Sequence, residues 1–299
     1  MKVSIIIPSL NSPIIVTVLE KINCQNEHEA IGEILIVGKD DLHLLQKVKD
    51  PLVRLIDTGT AVNAAKARNI GIQQARHDLL IFLDSDCLPQ PGWLAEHLRV
   101  QAAGHTVVGG GVAPTGSNYW SLAYNLTLFH EFFATNPSGT KTYLPTLNLS
   151  VHREVIKIVG LLNESLGRGQ DIEWTTRMQK AGFTPFFAPK ATIIHEHSRK
   201  SLTAVWHDCA RSGHHMRQVR MQYPELFKGS QILQNRLALL LLSPAIALAI
   251  TFNIVRKHFK LFQKQWLTIP AIYLTKIAWC WGAAAPPLMN PKQFDKSLP

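Results

Sequence analysis

The chain has little cysteine and no long run of glycine or proline. Cys24, Cys87, Cys209 and Cys280 are its four cysteines, and no two of them form a C-x-x-C pair. This spacing argues against a disulfide framework and against a zinc knuckle, and it favours a reducing compartment. The 18 glycines and 17 prolines follow no three-residue period, and no repeat of solenoid length is present. Collagen-like and repeat proteins are therefore excluded.

The first two thirds of the chain lack an excess of either charge. Residues 1–195 carry 17 basic and 17 acidic side chains, whereas residues 196–265 carry 11 basic and three acidic ones. Most of the net charge of +10 therefore lies behind residue 195. This basic block flanks the most apolar stretch of the chain, which favours an anionic membrane surface over nucleic acid as a partner.

The first residues lack the features of a signal peptide. The apolar run that begins at Val3 ends at Pro8, and no small-residue cleavage site follows it. The run is too short for the apolar core of a signal peptide and is typical of a first strand. We therefore expect the chain to begin in the cytoplasm.

Apolar runs without polar alternation predict strands that are covered on both faces. These runs are Val3–Ile7, Glu33–Val37, Val53–Ile56 and Leu79–Leu83, and the helix-length segments between them are Pro13–Ile22, Asp41–Lys49 and Ala61–Ala75. Further helices are predicted over Trp93–Ala102 and from Asp171 onward, and further strands over Phe186–Ala188 and Thr192–Ile194. The alternation predicts an α/β fold with a doubly wound, mostly parallel sheet.

The C-terminal part contains two long apolar segments. Residues 237–255 carry no charge, and 19 residues can cross about 30 Å of hydrocarbon. A basic loop separates this uncharged run from the second apolar segment, residues 266–288. If both segments spanned a membrane, this loop would lie opposite the N-terminal domain, against the positive-inside tendency. Spanning helices, helices lying in the interface and a soluble lobe all remain open.

Two carboxylates follow the apolar run that ends at Leu83. Asp84 and Asp86 stand at positions i and i+2 around Ser85. Because strand side chains repeat with period two, both carboxylates can converge just past the end of the strand, where open α/β sheets bind ligands. Such oxygen ligands suit Mg²⁺ or Mn²⁺ bridging a diphosphate. A polar turn after a strand is the alternative.

A basic residue and an acid flank this pair in sequence. Arg68 lies in an Ala-rich helix that leads into the strand, where it could neutralise a phosphate. Asp171 opens a predicted helix, whose dipole keeps a carboxylate ionised and available as a base. A solvated helix charge and an ordinary helix cap are the alternative interpretations of Arg68 and Asp171.

Taken together, these segments resemble the family 2 glycosyltransferases with the GT-A fold, over residues 1–200. The matching segments are Ser-Ile-Ile-Ile-Pro-Ser-Leu-Asn at 4–11, Ala-Arg-Asn-Ile-Gly at 67–71, D-x-D at 84–86, Asn148 before Arg153, and Gly-x-Asp-x-Glu-Trp with a following Arg at 169–177. The resemblance implies metal-dependent, inverting transfer of a sugar from a nucleotide-diphosphate sugar to an acceptor hydroxyl. The Gln-x-x-Arg-Trp signature of processive members is missing, so we expect single-sugar addition.

The resemblance also implies roles for individual residues. Asp171 corresponds to the general base, and Mn²⁺ or Mg²⁺ would be held by Asp84, Asp86 and His195. The nucleotide sugar would contact Pro8, Ser9, Asn11, Asp40, Asn63, Arg68, Asp84 and Ser85, and the acceptor would contact Asn148, Glu173 and Trp174. A surface position is the alternative for Glu173. The acidic pair usual after the second strand is replaced by Gly-Lys-Asp-Asp at 38–41, so the donor base stays open among uracil, guanine and thymine.

The sequence predicts four segments. They are a nucleotide-sugar glycosyltransferase domain over 1–200, basic amphipathic juxtamembrane helices over 201–236, an apolar membrane-associated hairpin over 237–288 and a tail over 289–299. We expect a glycan or glycolipid acceptor at the cytoplasmic face of a membrane, and no nucleic-acid partner.

Other functional classes account for fewer of these sequence features than a glycosyltransferase does. An inactive, membrane-bound scaffold that binds sugar nucleotides is the main alternative. A nucleotidyltransferase would need a glycine-rich loop after the first strand, and residues 8–12 contain no glycine. The five histidines at 195, 197, 207, 214 and 215 form no convincing zinc quartet with Cys209.

Overall fold

The structure is a computed structural model that describes residues 2–227 and 230–286. Over these residues, nine strands form one sheet. The strands are β1 (Val3–Leu10), β2 (Ile31–Lys39), β3 (Val53–Asp57), β4 (Leu79–Leu83), β5 (Cys87–Pro89), β6 (Val107–Val112), β7 (Gly139–Thr140), β8 (Asn148–His152) and β9 (Phe186–His195). Their order is β3-β2-β1-β4-β8-β6-β9-β5, with β7 paired to β9.

The four strands predicted in the first third of the chain are present and run parallel. β1 pairs with β2 on one side and β4 on the other, so that Ile5 lies between Ile34 and Ile81. All five residues of β4 are buried, as expected for a strand with both faces covered. The polar residues that follow β1 and β4 therefore emerge at one edge of the sheet.

The sheet is mixed, which corrects the expectation of a mostly parallel, doubly wound sheet. β8 runs antiparallel to both of its neighbours, β4 and β6. The cause lies in the connection over residues 113–147, which stays at the edge where β6 ended instead of crossing back to the other edge. A strand that starts at that edge must run the opposite way. The two short strands predicted at 186–188 and 192–194 form one strand, β9, with an irregularity in its pairing to β6.

Eleven helices occur within the described residues. They are α1 (Ile15–Asn23), α2 (Ala64–Gln74), α3 (Trp93–Ala102), α4 (Tyr119–Phe129), α5 (Arg153–Val159), α6 (Gln170–Lys180), α7 (Leu202–Gln222), α8 (Arg236–Leu241), α9 (Ser243–Lys257), α10 (Phe259–Gln265) and α11 (Ile269–Ala284). The helix predicted over Asp41–Lys49 is wrong, because only a short 3₁₀ helix, Leu44–Lys47, forms there. α2 lies close to β1 because Gly71 faces Ile6, and a Cβ at Gly71 would come within 2.4 Å of that side chain.

The C-terminal helices pack on the sheet domain and on one another. α11 packs mainly along α7 and also contacts α4, α8 and α9. The contact with α7 is close: a Cβ at Gly282 would meet the Ala210 carbonyl oxygen at 1.8 Å, and one at Gly213 would meet that of Trp279 at 2.0 Å. One face of α7 is therefore buried against the rest of the protein, and it includes Cys209 and Val219.

Among the described residues, we find no helix that combines the length and the apolar character needed to cross a membrane. The uncharged run at 237–255 is divided between α8 and α9, because the first helix ends at Leu241 and the next begins at Ser243. The tail at 289–299, and the last two residues of the segment 237–288, lie outside the described residues.

Candidate active site

A cleft of about 350 Å³ opens beyond the carboxyl end of β4. It brings together five of the predicted site residues: Arg68, Asp84, Asp86, Asp171 and His195. They come from four separate places in the chain, namely α2, the turn after β4, the start of α6 and the end of β9. The sheet topology therefore brings five side chains to one edge of the sheet, although they are spread over more than 120 residues of the sequence.

Arg68 is the most deeply buried of the five, with 3% of its side chain exposed. Its Nη2 donates a hydrogen bond to Asp84 Oδ1, whereas its Nε and Nη1 are buried with no hydrogen-bond partner in the described part of the protein. Buried N–H groups without an acceptor are costly, and those of a guanidinium suit the oxygens of a phosphate. Arg68 therefore presents unsatisfied donors in a cleft that also contains carboxylates.

Asp86 and His195 lie opposite each other across the cleft floor. The Asp86 Oδ2 and His195 Nε2 atoms are 3.4 Å apart. Burial acts to raise the pKa of Asp86, but His195 in its protonated form and the guanidinium of Arg199 outweigh it, so that the pKa is lowered and the carboxylate is charged.

The hydrogen bonds of His195 fix which of its ring nitrogens faces Asp86. Asn125 donates its amide hydrogens to the carbonyl oxygens of Thr115 and His195, so its Oδ1 is an acceptor. That oxygen lies 2.9 Å from His195 Nδ1, which assigns the proton of the neutral ring to Nδ1. In this neutral form the Nε2 lone pair faces the Asp86 carboxylate with no hydrogen atom between them, an arrangement that a shared cation would stabilise.

The donor set fits a divalent cation. Ligand atoms of Asp86, Cys87 and His195 all lie within 4.8 Å of one another. Burial and the charges of Asp86 and Asp84 raise the pKa of the Cys87 thiol well above its usual range, and Mn²⁺ and Mg²⁺ prefer oxygen and imidazole ligands to sulfur. The remaining carboxylate and imidazole, with Asp84 two residues away, suit Mn²⁺ or Mg²⁺ better than a thiophilic metal.

Asp171 is the second residue of α6, at the positive end of the helix dipole. Its Oδ1 accepts a hydrogen bond from its neighbour's backbone, Ile172 N, at 2.9 Å. Burial raises the pKa of Asp171, and the positive charge of Arg68 offsets part of this effect. A carboxylate with a raised pKa is a stronger base than an exposed one.

The structure adds an ion cluster that the sequence did not reveal. Asp208, on α7, pairs with Arg168 at 2.8 Å, with Arg199 at 3.1 Å and with Arg211 at 3.2 Å, and it accepts a hydrogen bond from the Tyr124 hydroxyl. Arg168 and Arg199 also line the cleft. Three guanidinium groups share one carboxylate, so the cluster keeps a positive excess beside the cleft.

The positions of Arg168 and Arg199 beside predicted site residues could have identified them from the sequence, whereas nothing in the sequence pointed to Asp208. Arg168 lies just before the Gly-x-Asp block and Arg199 shortly after His197. Asp208 lies in the segment that the sequence assigned to juxtamembrane helices, and only the packing of α7 brings it to the site.

The remaining residues predicted to bind the nucleotide lie outside the lining of this cleft. Ser9 is buried at the end of β1, beside Pro8, and the Ser85 carbonyl accepts a hydrogen bond from Ser12. Asn63 caps α2 through Lys66 N and donates to the Glu164 carbonyl.

Both acids of the loop after β2 are bonded within the protein. The Asp40 carboxylate accepts hydrogen bonds from Leu44 N and Leu45 N, and so is occupied as a cap of the 3₁₀ helix. Asp41 is the acid that pairs with Asn11, whose backbone φ of 54° turns the chain after β1.

The structure does not bring the three residues predicted to contact the acceptor to the cleft. Trp174 is fully buried and its indole donates to the Gly160 carbonyl. Asn148, 1% exposed, accepts from Trp93 and donates to the Ala191 carbonyl, while Glu173 pairs with Arg177 at 2.8 Å. All three side chains are bonded within the protein and none of them lines the cleft, and their contacts with an acceptor stay predictions.

The arrangement is that of an α/β protein with a charged, metal-compatible cleft at the carboxyl edge of its sheet. The sequence profile described as "Glycosyl transferase family 2" matches residues 4–157, which is more than half of the chain. The chain therefore belongs to glycosyl transferase family 2, and the family predicted from the sequence is confirmed.

Curated relatives support this assignment. The chain is 30% identical over 195 residues to "Glycosyltransferase AglE" of Haloferax volcanii, covering 62% of this chain and 64% of the relative. It is 32% identical over 143 residues to "Pre-mycofactocin glycosyltransferase" of Mycobacterium tuberculosis, covering 44% of this chain and 30% of the relative. The chain thus matches less than two thirds of the length of either relative.

Solved structures show the same fold. "Mannosyltransferase PcManGT from Pyrobaculum calidifontis in complex with GDP-Man and Mn2+" aligns with a TM-score of 0.62 at 16% identity, covering 92% of this chain and 85% of that one. "GalNAc-T7 with UDP, GalNAc and Mn2+" aligns with a TM-score of 0.53 at 16% identity, covering 76% and 51%. These likenesses confirm an α/β fold of the GT-A type.

Proposed function

We propose that the protein is a metal-dependent, inverting glycosyltransferase that moves one sugar from a nucleotide-diphosphate sugar to an acceptor hydroxyl. The observation that carries this proposal is the cleft itself. It combines a buried arginine with unsatisfied donors, a carboxylate and imidazole pair suited to a divalent cation, and a carboxylate with a raised pKa. Mn²⁺ is named for both structural neighbours, with GDP-Man in one and with UDP and GalNAc in the other, which supports the same classes of ligand here.

The charges of the cleft divide into two functions. Arg68 would donate to the diphosphate, and Arg168 and Arg199 lie along the same cleft to balance the charge of the departing nucleotide. Asp84, Asp86 and His195 would hold the cation, which acts as a Lewis acid toward a diphosphate leaving group.

Asp171 would take the proton of the acceptor hydroxyl. As the acceptor oxygen forms its bond to the anomeric carbon, the bond from that carbon to the diphosphate oxygen breaks and the proton moves to the Asp171 carboxylate. A single displacement of this kind inverts the anomeric carbon and needs only one base. Of the three carboxylates that line the cleft, Asp84 and Asp86 are assigned to the cation, and the one that remains, Asp171, supports a single displacement over a covalent intermediate.

An Asp86→Asn variant tests the proposal through binding, independently of turnover. A ligand at 100 times its Kd adds about 2.7 kcal/mol to apparent stability, so a matching UDP-, GDP- or dTDP-sugar should raise the Tm of the wild type more with Mn²⁺ than without it. Asp86→Asn should lose the Mn²⁺-dependent part of this shift. The control is Asp78→Asn, an exposed carboxylate paired with Arg153, which should behave as the wild type. An equal Mn²⁺-dependent shift in Asp86→Asn would contradict the proposed metal site.

We further propose that the enzyme works at the cytoplasmic face of a membrane, with its C-terminal helices lying on the lipid. Between residues 237 and 267, nine large apolar side chains are between 43% and 72% exposed. They are Leu237, Leu240, Leu241, Leu242, Leu248, Phe252, Phe259, Trp266 and Leu267. Lys257, Lys260 and Lys264 are interspersed with them, and this mixture suits an anionic lipid interface. A glycolipid or lipid-linked glycan would be accessible there.

Sedimentation with lipid vesicles tests this placement. The wild type should bind vesicles containing phosphatidylglycerol more strongly than vesicles of phosphatidylcholine alone, and salt should weaken the binding. The double change Leu241→Ser and Phe252→Ser should release most of the protein, because both side chains are at least 66% exposed. Leu10→Ser, which alters an exposed leucine at the end of β1, is the matched control. Vesicle binding unaffected by the double change would contradict the proposed placement.

A further inference from the structure

A second and larger cavity, of about 820 Å³, lies next to the cleft between α4, α7, α9 and α11. Five residues line both spaces, so the two are neighbours with a common wall: Leu128, Tyr143, Ile172, Ser212 and Met216. Ile172 directly follows Asp171 in α6. A molecule in the larger cavity therefore lies beside the proposed base. The volume is within the range of about 300–1,000 Å³ that is usual for small-molecule sites.

The lining of the larger cavity carries an excess of positive charge. Arg220, Arg256, Lys257 and Lys276 contribute four cations, against the single carboxylate of Glu131. Glu131 lies beside the hydroxyl of Tyr143, from which it accepts a hydrogen bond of 2.9 Å. No ion pair of Arg220, Arg256, Lys257 or Lys276 with a carboxylate occurs within residues 2–227 and 230–286.

Two of these cations have donors that the protein does not fully use. The Nε of Arg220 is buried without a hydrogen-bond partner among the described residues, and its guanidinium stacks on Trp279 and Phe227. Lys276 donates one hydrogen bond, of 3.0 Å, to the Thr127 carbonyl oxygen. Both groups can therefore donate to an anion in the cavity.

Two titratable groups of the cavity lining have pKa values that are lowered mainly by burial and further by the neighbouring cations. Burial lowers the pKa of His130 to about 2, and Lys276 and Lys257 contribute to this lowering. Burial also lowers the pKa of Lys276 to about 8, with a further contribution from Arg220. Lys276 is still largely protonated at pH 7, so the positive charge persists at neutral pH.

We propose that this cavity binds an acceptor substrate through its phosphate or diphosphate group. The inference rests on the proposed glycosyl transfer and names the acceptor class for that site. Arg220 and Lys276 would donate to the phosphate oxygens at the inner wall, and Lys257 would balance the charge at the exposed side. The apolar parts of the wall, Ile250 and Ile254 on α9, would contact carbon atoms of the acceptor.

Binding of defined probes to the full chain tests the proposal without requiring turnover. The probes are farnesyl phosphate, the uncharged alcohol farnesol, and glucose 1-phosphate as a water-soluble phosphate, each titrated against detergent-purified protein. Lys257→Gln removes an exposed cation of the cavity and should leave folding intact. Lys276→Gln removes the inner one. Lys260→Gln, three residues beyond Lys257 and outside the cavity lining, is the matched control.

We expect at least one phosphate-bearing probe to bind, and the Kd to rise about tenfold in Lys257→Gln and in Lys276→Gln but less than twofold in Lys260→Gln. Binding of farnesyl phosphate alone would assign the phosphate to a lipid, and binding of glucose 1-phosphate to a soluble acceptor. Three outcomes would each overturn the proposal. The protein could bind farnesol and farnesyl phosphate with equal affinity, it could bind neither phosphate probe, or all three variants could lose the same amount of affinity.

Donor binding keeps this test separate from the proposed function. The Mn²⁺-dependent Tm shift with the nucleotide sugar should stay unchanged in Lys257→Gln, because Lys257 does not line the donor cleft. Loss of phosphate binding with intact donor binding would locate the effect in the second cavity. A wild type that binds the phosphate probe but no nucleotide sugar would contradict the glycosyltransferase function while leaving an anion site in place.

Discussion

Replacing Asp171 with Asn should lower the rate of sugar transfer by about 10³-fold, because a general base contributes about 10²–10⁴-fold. The amide keeps the size of the side chain and can still accept the hydrogen bond from Ile172 N, but it cannot take a proton. The Mn²⁺-dependent Tm shift with the donor should remain, since donor binding does not require the base. Transfer is measured with saturating donor, so that the loss is assigned to turnover.

Glu154→Gln is the matched control for Asp171→Asn. Glu154 also lies in the first turn of a helix, α5, but it is exposed and outside the cleft, so its replacement should leave transfer unchanged. The pH profile gives a second readout. Because burial raises the pKa of Asp171, wild-type activity should fall on acidification at a pH above the usual carboxyl range. Full turnover in Asp171→Asn would show that another group is the base.

Much of the sheet and the core of the site could be predicted from local sequence. The buried strands are continuous apolar runs, and the residues after Leu83 and before Ile172 are charged at positions where strands end or helices begin. Arg68, Asp84, Asp86, Asp171 and His195 were predicted as site residues, and the structure brings them to one cleft. Their roles in binding and catalysis stay predictions.

The features that sequence reasoning missed depend on contacts between distant segments. The direction of β8 is set by the route of residues 113–147 and not by the residues of the strand itself. Trp174 follows Glu173 in a site motif, but the helix period turns its ring into the core, where its edge meets Phe82. The apolar run at 237–255 has the length of a membrane span, yet it forms two shorter helices, and α9 is 15 residues long.

Asp208 is the clearest case of a residue whose effect only the tertiary structure reveals. Asp208→Asn should lower the free energy of unfolding by about 2 kcal/mol at neutral pH, because it removes the buried charge that three partly exposed guanidinium groups share. Asp57→Asn is the control: Asp57 and Lys39 form an exposed pair of 3.8 Å, which should contribute at most about 1 kcal/mol. Denaturant unfolding of both variants compares the two effects. Equal losses of unfolding free energy in the two variants would contradict the larger contribution that we expect from the Asp208 cluster.

The pH dependence of stability distinguishes this ion cluster from a packing defect. Burial acts to raise the pKa of Asp208, but Arg168 and Arg199 outweigh it and lower the pKa to about 2, from an ordinary value of 3.8. A carboxylate with a lowered folded-state pKa stabilises the protein fully above its unfolded pKa, and this stabilisation is lost as the pH falls through the folded pKa. The difference between the wild type and Asp208→Asn should therefore be constant above about pH 5 and shrink between about pH 4 and pH 2. Asn and protonated Asp have nearly the same shape and neither carries a charge, so a loss that comes from charge alone disappears at low pH, whereas a loss that comes from packing would persist there.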